Sequence, residues 1–209
     1  MKLYIAILSV GLTIIMGGNL FYVLTENKDV GAMFLYLFLA VVVCGLMSGV
    51  ITLITRILPS KVFNPYRKRY KVYSKENELY NKLKIKKWKD KIPELGKLSG
   101  FAKTEIAEPN NPEYIYKFLT ENCIAEALHF YSIVAGLLIF IFLPREYIFT
   151  IGLPVFFLNF LLHIMPILVQ RYLRPKFLKI YNRLLIQKEK KDNEKQNQEN
   201  IDEFDEKMA

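Results

Sequence analysis

The chain has 209 residues, 52% of them hydrophobic, and a formal net charge of +9. A soluble domain of that richness spreads its apolar residues at helix or strand period, whereas here they come in long blocks without a polar face. The distribution excludes an ordinary soluble core, and it makes a membrane surface rather than nucleic acid the natural partner of the excess positive charge.

The first block, Leu3 to Leu24, lacks any Asp, Glu, Lys or Arg, and its length suffices to cross about 30 Å of hydrocarbon. Lys2 before it imitates the start of a signal peptide, but no small-x-small cleavage site follows and further spans do, so a retained span is expected. After the short polar connection Thr-Glu-Asn-Lys-Asp comes a second charge-free block, Val30 to Ile54. Within it Gly45, Ser48 and Gly49 form a small-residue face suited to close helix packing. Cys44 and Cys123 have no neighbours at metal-site or disulfide spacing.

Between Arg56 and Lys103 there are 15 Lys or Arg against 4 Asp or Glu. Such a segment stays on the cytoplasmic side during insertion, which makes both termini cytoplasmic and the protein a multi-pass component of the cell membrane. Tyr66, Tyr70, Tyr73, Leu79, Tyr80, Leu83, Ile85 and Trp88 interleave with these cations, a mixture suited to the headgroup level and to anionic lipid.

A third span, Cys123 to Leu143, and a fourth, Tyr147 to Gln170, are joined by Pro-Arg-Glu and should pack as antiparallel neighbours. Pro175 suits the first turn of a further helix. Phe177, Leu178, Tyr181, Leu184 and Leu185 then recur at helical spacing opposite Lys176, Lys179 and Arg183, as in an interfacial helix. From Asp192 to Ala209 seven acids face two lysines with few apolar residues, a composition expected to be disordered. The predicted architecture is an all-α integral membrane protein with four transmembrane helices, a cytoplasmic and partly interfacial basic segment, and a C-terminal amphipathic helix. Its parts are a first hairpin (1–54), the basic segment (55–122), a second hairpin (123–170), an interfacial helix (171–191) and an acidic tail (192–209). The oligomeric state is not legible.

Glu126 and His129 stand three residues apart on one helical face within the third span, where polar side chains are costly unless they face protein or water. Asn159, His163 and Gln170 mark a stripe on the fourth span at spacings of four and seven. The antiparallel hairpin puts His129 and His163 at similar depth, so the two histidines are expected to line one cytoplasm-facing cavity. Glu126 and His129 either serve such a site or pair with each other or with backbone to fix packing, with Glu126 shallow enough to reach the headgroups. Counting Glu126, His129 and His163 as metal ligands rests on Glu-x-x-His alone, a weak signal, and no metal is assigned.

Several motifs carry a family likeness: Thr55-Arg56-Ile57-Leu58-Pro59, Ile85-Lys86-Lys87-Trp88-Lys89-Asp90-Lys91-Ile92-Pro93, Ala125-Glu126-Ala127-Leu128-His129, and Pro166 with Gln170-Arg171-Tyr172-Leu173-Arg174-Pro175. Over roughly residues 45 to 186 the chain resembles the bacterial glycosyl-4,4'-diaponeurosporenoate acyltransferases, which esterify a sugar hydroxyl of a glycosylated carotenoid. Leu173 stands where that family usually carries Asn, and the first span looks like an addition.

The resemblance implies an acyltransferase that moves a fatty acyl group from acyl-CoA or acyl-carrier protein, with no tightly bound cofactor, to a glycosylated isoprenoid or glycolipid. Under that reading His129 is the general base, because an imidazole titrates near neutrality, and Glu126 either orients it or binds the acceptor hydroxyl. Trp88, Lys89, Asp90, Asn159, His163, Gln170, Arg171, Tyr172 and Arg174 are the expected substrate-binding set, with Arg171, Arg174, Lys89 and Lys91 toward the donor's phosphates. Asp90, an acid within a basic segment, is expected to bind Arg171 or a substrate hydroxyl. The competing reading is a non-catalytic membrane subunit of a lipid or pigment biosynthetic complex. A transporter ranks behind both, since no polar path crosses the spans.

Overall fold

The computed structural model describes residues 2–92 and 106–208; Pro93 of the second motif and Lys97 and Lys103 of the basic segment lie outside the described residues. Among the described residues every regular element is helical. Four helices are long and apolar enough to cross a membrane, and the chain is a multi-pass membrane protein. Helix α1 (Lys2–Thr25) and helix α2 (Val30–Ile57) form the first hairpin. Asn27 turns the connection in the left-handed region at φ 49°, where Asn is among the better tolerated residues. Asp29 then caps α2, its carboxylate accepting from the Gly31 amide at 2.7 Å.

The basic segment folds into short pieces, chiefly α3 (Ser74–Lys82) and α4 (Ile85–Trp88). Its aromatic residues divide into two groups. Tyr70, Tyr80 and Ile85 are buried, whereas Tyr66, Tyr73, Leu79 and Leu83 are exposed. The buried group belongs to small cores built with the near ends of the second hairpin, where Tyr80 and Ile85 join Ile115, Phe118, Leu119, Val169, Tyr172, Leu173 and Phe177. The mixture of Tyr and Lys expected to lie on lipid is thus half core.

Helix α5 (Pro112–Gly136) starts on Asn111, whose side chain accepts from the Glu113 and Tyr114 amides, with Pro112 in the first turn. It extends the third span well beyond the apolar block. After a short α6 (Ile139–Phe142) and a π-helical turn, Ile148–Gly152, helix α7 (Leu153–Met208) runs on. Lys28 and Glu146 pair at 3.2 Å, so the two short connections lie together at the end opposite the basic segment.

Helix α7 departs from the sequence expectation. Pro175 and Pro166 both sit inside it, and it continues through the acidic stretch instead of breaking into a span, an interfacial helix and a tail. A proline removes one amide and crowds the carbonyl four residues back, but neighbouring helices hold the line in membrane proteins. Beyond Lys188 every described side chain is exposed, so Glu, Lys and Gln propensity rather than packing favours helix there.

The small residues that bring helices close are also not the expected ones. A methyl group built on Gly11 would stand 2.8 Å from Leu158, and one on Gly136 would stand 2.5 Å from the Asn159 amide nitrogen. Gly45 and Gly49 have nothing within 4 Å. Close approach occurs where α7 meets α1 and α5, while Gly45 and Gly49 of α2 face open space and Ser48 between them turns inward to His163.

Candidate active site

Helices α5 and α7 run antiparallel, so a residue early on α5 faces a residue late on the membrane part of α7. Three polar layers result. Asn122 and Glu126 meet Gln170, Arg171 and Arg174; His129 meets His163; and Ser132 and Gly136 meet Asn159.

The first layer is a closed network of charges. Arg171 Nη1 donates to Glu126 Oε1 at 2.8 Å, and its Nε and Nη2 both donate to the Glu76 carboxylate at 2.9 Å. The remaining capacity goes to the Tyr80 hydroxyl and to the carbonyls of Arg69 and Lys71. All three guanidinium nitrogens are therefore engaged, and they tie α3 and the turn before it onto α5 and α7. Arg174 is 0% exposed. Its Nε donates to Asn122 Oδ1 at 2.9 Å and its Nη1 to the Tyr70 carbonyl at 3.0 Å. Its Nη2 stands 2.5 Å from Glu126 Oε2, too poorly aligned for a hydrogen bond, and neither atom has another partner among the described residues. Asn122 donates in turn to the Gln170 side-chain oxygen.

The layer holds two guanidiniums and two carboxylates, which is what poor solvation requires, since an unmatched buried charge costs several kcal/mol. Burial pushes the Glu76 carboxyl up, but hydrogen bonds from Tyr80 and Arg171 outweigh it and leave the group below its ordinary range. Burial, reinforced by Glu76, pushes the Tyr80 phenol up to about 12, so it remains a donor at physiological pH.

About 4.5 Å deeper along α5, from a rise of about 1.5 Å per residue, His129 Nδ1 and His163 Nδ1 approach to 2.9 Å. His163 Nε2 stands 3.3 Å from Ser48 Oγ on α2. The two histidines of the chain thus meet between three helices, as the short connection of the second hairpin predicts.

Glu126 does not take the expected place beside His129, because both of its oxygens are held by arginines. A carboxylate in apolar surroundings needs a full positive charge, which a neutral imidazole does not offer. Asp90 pairs with its neighbour Lys89 at 2.5 Å and is exposed; the acid of the basic segment that holds Arg171 is Glu76. Trp88 donates to the Leu83 carbonyl at 3.0 Å. Tyr172 is buried edge-on to Tyr80, with the Lys176 ammonium 3.9 Å from its ring centre. Asn159 donates to the Ser132 carbonyl at 3.4 Å. Among the described residues no three His, Cys, Asp or Glu side chains gather as a metal set.

Sequence reasoning gives Ser48 only a packing role and Tyr70 and Tyr80 only an interfacial one, and it does not single out Glu76 or Asn122. Three of them carry a readable signal: Asn122 lies one turn before Glu126, and Glu76 with Tyr80 forms an i to i+4 polar pair within a basic stretch.

Comparison with known proteins bears on the stretch that holds these layers. No curated protein and no solved structure matches the chain significantly. The model of the glycosyl-4,4'-diaponeurosporenoate acyltransferase family matches residues 59–183, from just past α2 through α5 and into α7, with α1 and α2, and so Ser48, outside it. Across well over half of its length, then, the sequence carries that family's pattern, and the chain belongs to the glycosyl-4,4'-diaponeurosporenoate acyltransferase family.

Proposed function

We propose that the chain is a membrane-bound O-acyltransferase in which His129 is the general base. The acyl group comes from a cytoplasmic thioester, acyl-CoA or acyl-carrier protein, and goes to a sugar hydroxyl of a glycosylated isoprenoid or glycolipid. The acceptor oxygen attacks the thioester carbonyl carbon while His129 Nε2 takes its proton. The C–O bond forms, the C–S bond breaks, and the imidazolium returns the proton to the leaving thiolate, giving an ester and a free thiol. The family supports the reaction class. The observation that carries the choice of residue is the pairing of the protein's two histidines, which leaves His129 Nε2 without a protein partner among the described residues.

In this reading Glu126, Arg171 and Arg174 hold the site together rather than touch the substrate, since their charges already balance. The donor's phosphates are drawn instead to exposed cations of the basic segment, Lys68 and Lys75 among them, with Trp88 and Lys89 at the rim. Both termini and the basic segment are cytoplasmic, the side on which a thioester donor is made.

The test is His129→Ala in membrane vesicles, with radiolabelled acyl-CoA and extraction of the acylated product. Loss of a general base lowers turnover by roughly 10²- to 10⁴-fold, with unchanged protein in the membrane fraction. Full activity in that variant sinks the assignment.

A further inference from the structure

We propose, resting on the acyl-transfer reading above, that Ser48 and His163 are positioning residues that hold His129 in the tautomer a general base requires: proton on Nδ1, lone pair on Nε2. A hydrogen-bond chain from α2 to α5 fixes the direction.

Ser48 Oγ donates its single proton to the Cys44 carbonyl one turn back, at 2.9 Å. A serine hydroxyl has no second proton. Toward His163 Nε2, at 3.3 Å, it can only accept, so His163 carries its proton on Nε2. A neutral imidazole has one N–H, and His163 Nδ1 is therefore an acceptor. Between the two Nδ1 atoms, 2.9 Å apart, the proton must then belong to His129. That leaves His129 Nε2 bare.

The same nitrogen is not sealed into the packing. The buried side-chain atoms without a partner among the described residues are Asn19 Oδ1, Tyr70 OH, Glu126 Oε2, Ser132 Oγ, Thr150 Oγ1 and Arg174 Nη2, and the His129 ring is not among them.

The opposite polarity has a definite consequence. If Ser48 left the Cys44 carbonyl and donated to His163 Nε2, the proton between the rings would move to His163 and His129 would be protonated on Nε2. That form donates but cannot take a proton from an acceptor hydroxyl. The polarity of one serine on α2 thus decides whether His129 is a base. The device also differs from an acid-oriented histidine. The partner of His129 is neutral, and the nearby carboxylate of Glu126 is committed to Arg171 and Arg174.

The experiment uses the full chain with ¹⁵N-labelled histidine in lipid nanodiscs, with nitrogen protonation read by long-range proton–nitrogen correlation. The chain has two histidines, and His163→Asn leaves His129 alone, so both rings are assigned. The expected wild-type spectrum has His129 protonated on Nδ1 and His163 on Nε2.

Ser48→Ala removes the acceptor for His163, mixes the His129 tautomers and lowers kcat about 3- to 10-fold, the worth of one hydrogen bond, at unchanged KM. Ser48→Thr, which keeps the hydroxyl, restores it. His163→Ala lowers kcat about 10- to 100-fold, the worth of a hydrogen bond to the imidazolium that forms on His129, and His163→Asn, whose Oδ1 takes the place of Nδ1, recovers much of that loss.

A wild-type His129 protonated on Nε2 overturns the proposal. Equal losses in the Asn and Ala variants at His163 do so as well. The spectra do not depend on turnover: an active His129→Ala protein defeats the acyl-transfer role of His129, whereas the nitrogen assignments alone decide the tautomer.

Discussion

Arg174→Met separates a structural arginine from a phosphate-binding one. The native side chain is wholly buried, donates to Asn122 Oδ1 and the Tyr70 carbonyl, and faces Glu126 at 2.5 Å. Methionine fills similar volume but leaves two acceptors without donors and Glu126 with Arg171 as its sole cation. Breaking one side of a buried pair costs about 3–5 kcal/mol, and each orphaned acceptor about 1–3 kcal/mol, with incomplete additivity because the groups share one network. A loss of about 3–5 kcal/mol is therefore expected, equivalent to a fall in the unfolding midpoint of roughly 6–20 °C for a chain of this length.

The two cysteines supply the assay, since Cys44 and Cys123 are both free and buried. Labelling by a thiol-reactive dye during a temperature ramp in detergent reports opening of the bundle. Glu126→Gln combined with Arg174→Met, which removes one charge of each sign, should recover part of the loss. If Arg174→Met keeps the wild-type midpoint within about 0.5 kcal/mol, the ordinary range of surface substitutions, and instead raises KM for the acyl donor, the arginine binds substrate and the structural account is wrong.

The same labelling assay checks two further substitutions. Glu76 has its carboxyl held below the ordinary value of 4.5, so its contribution is fully present above about pH 4.5 and is lost as pH falls through the lower folded value. The midpoint difference between wild type and Glu76→Gln should be constant near neutrality and shrink on acidification below that point; a difference that grows with acid contradicts the sign. Gly136→Leu forces its first carbon onto the Asn159 amide and should cost about 1–3 kcal/mol, whereas Gly49→Leu, with open space around it, should be nearly silent. Equal losses at the two glycines would contradict the α5–α7 approach.

How much of this was legible in the sequence depends on which force acted. The spans were readable because hydrocarbon dictates about 20 apolar residues per crossing. The meeting of His129 and His163 was readable because the few residues joining the third and fourth spans leave antiparallel packing as the natural arrangement. The division of the basic segment was not. Whether Tyr70 or Tyr73 turns inward depends on the ends of α5 and α7 that Tyr70 packs against, and those lie some 50 to 100 residues further along the chain. The continuation of α7 was hidden for the opposite reason: a helix without a buried face leaves no periodic pattern to read.

The partner of Glu126 was the instructive error, because the rule that corrects it needs only sequence. Spacing offered His129 at i+3, and proximity along the chain won. Apolar surroundings, however, make neutralisation rather than nearness the stronger demand, and the candidates able to supply a permanent positive charge at that level were Arg171 and Arg174, just beyond the span expected to pack beside it. Once Glu126 takes both, the charges there are two positive and one negative, and a second acid must come from the basic segment. Glu76, Glu78, Asp90 and Glu94 were the available choices. Glu76 carries Tyr80 one turn later as a second donor to its carboxylate, while Asp90 has Lys89 beside it in the chain. Charge balance thus leads from one buried glutamate to the strap that fastens the basic segment over the bundle. It also removes the carboxylate from His129, leaving the orientation of that ring to two neutral groups, His163 and Ser48.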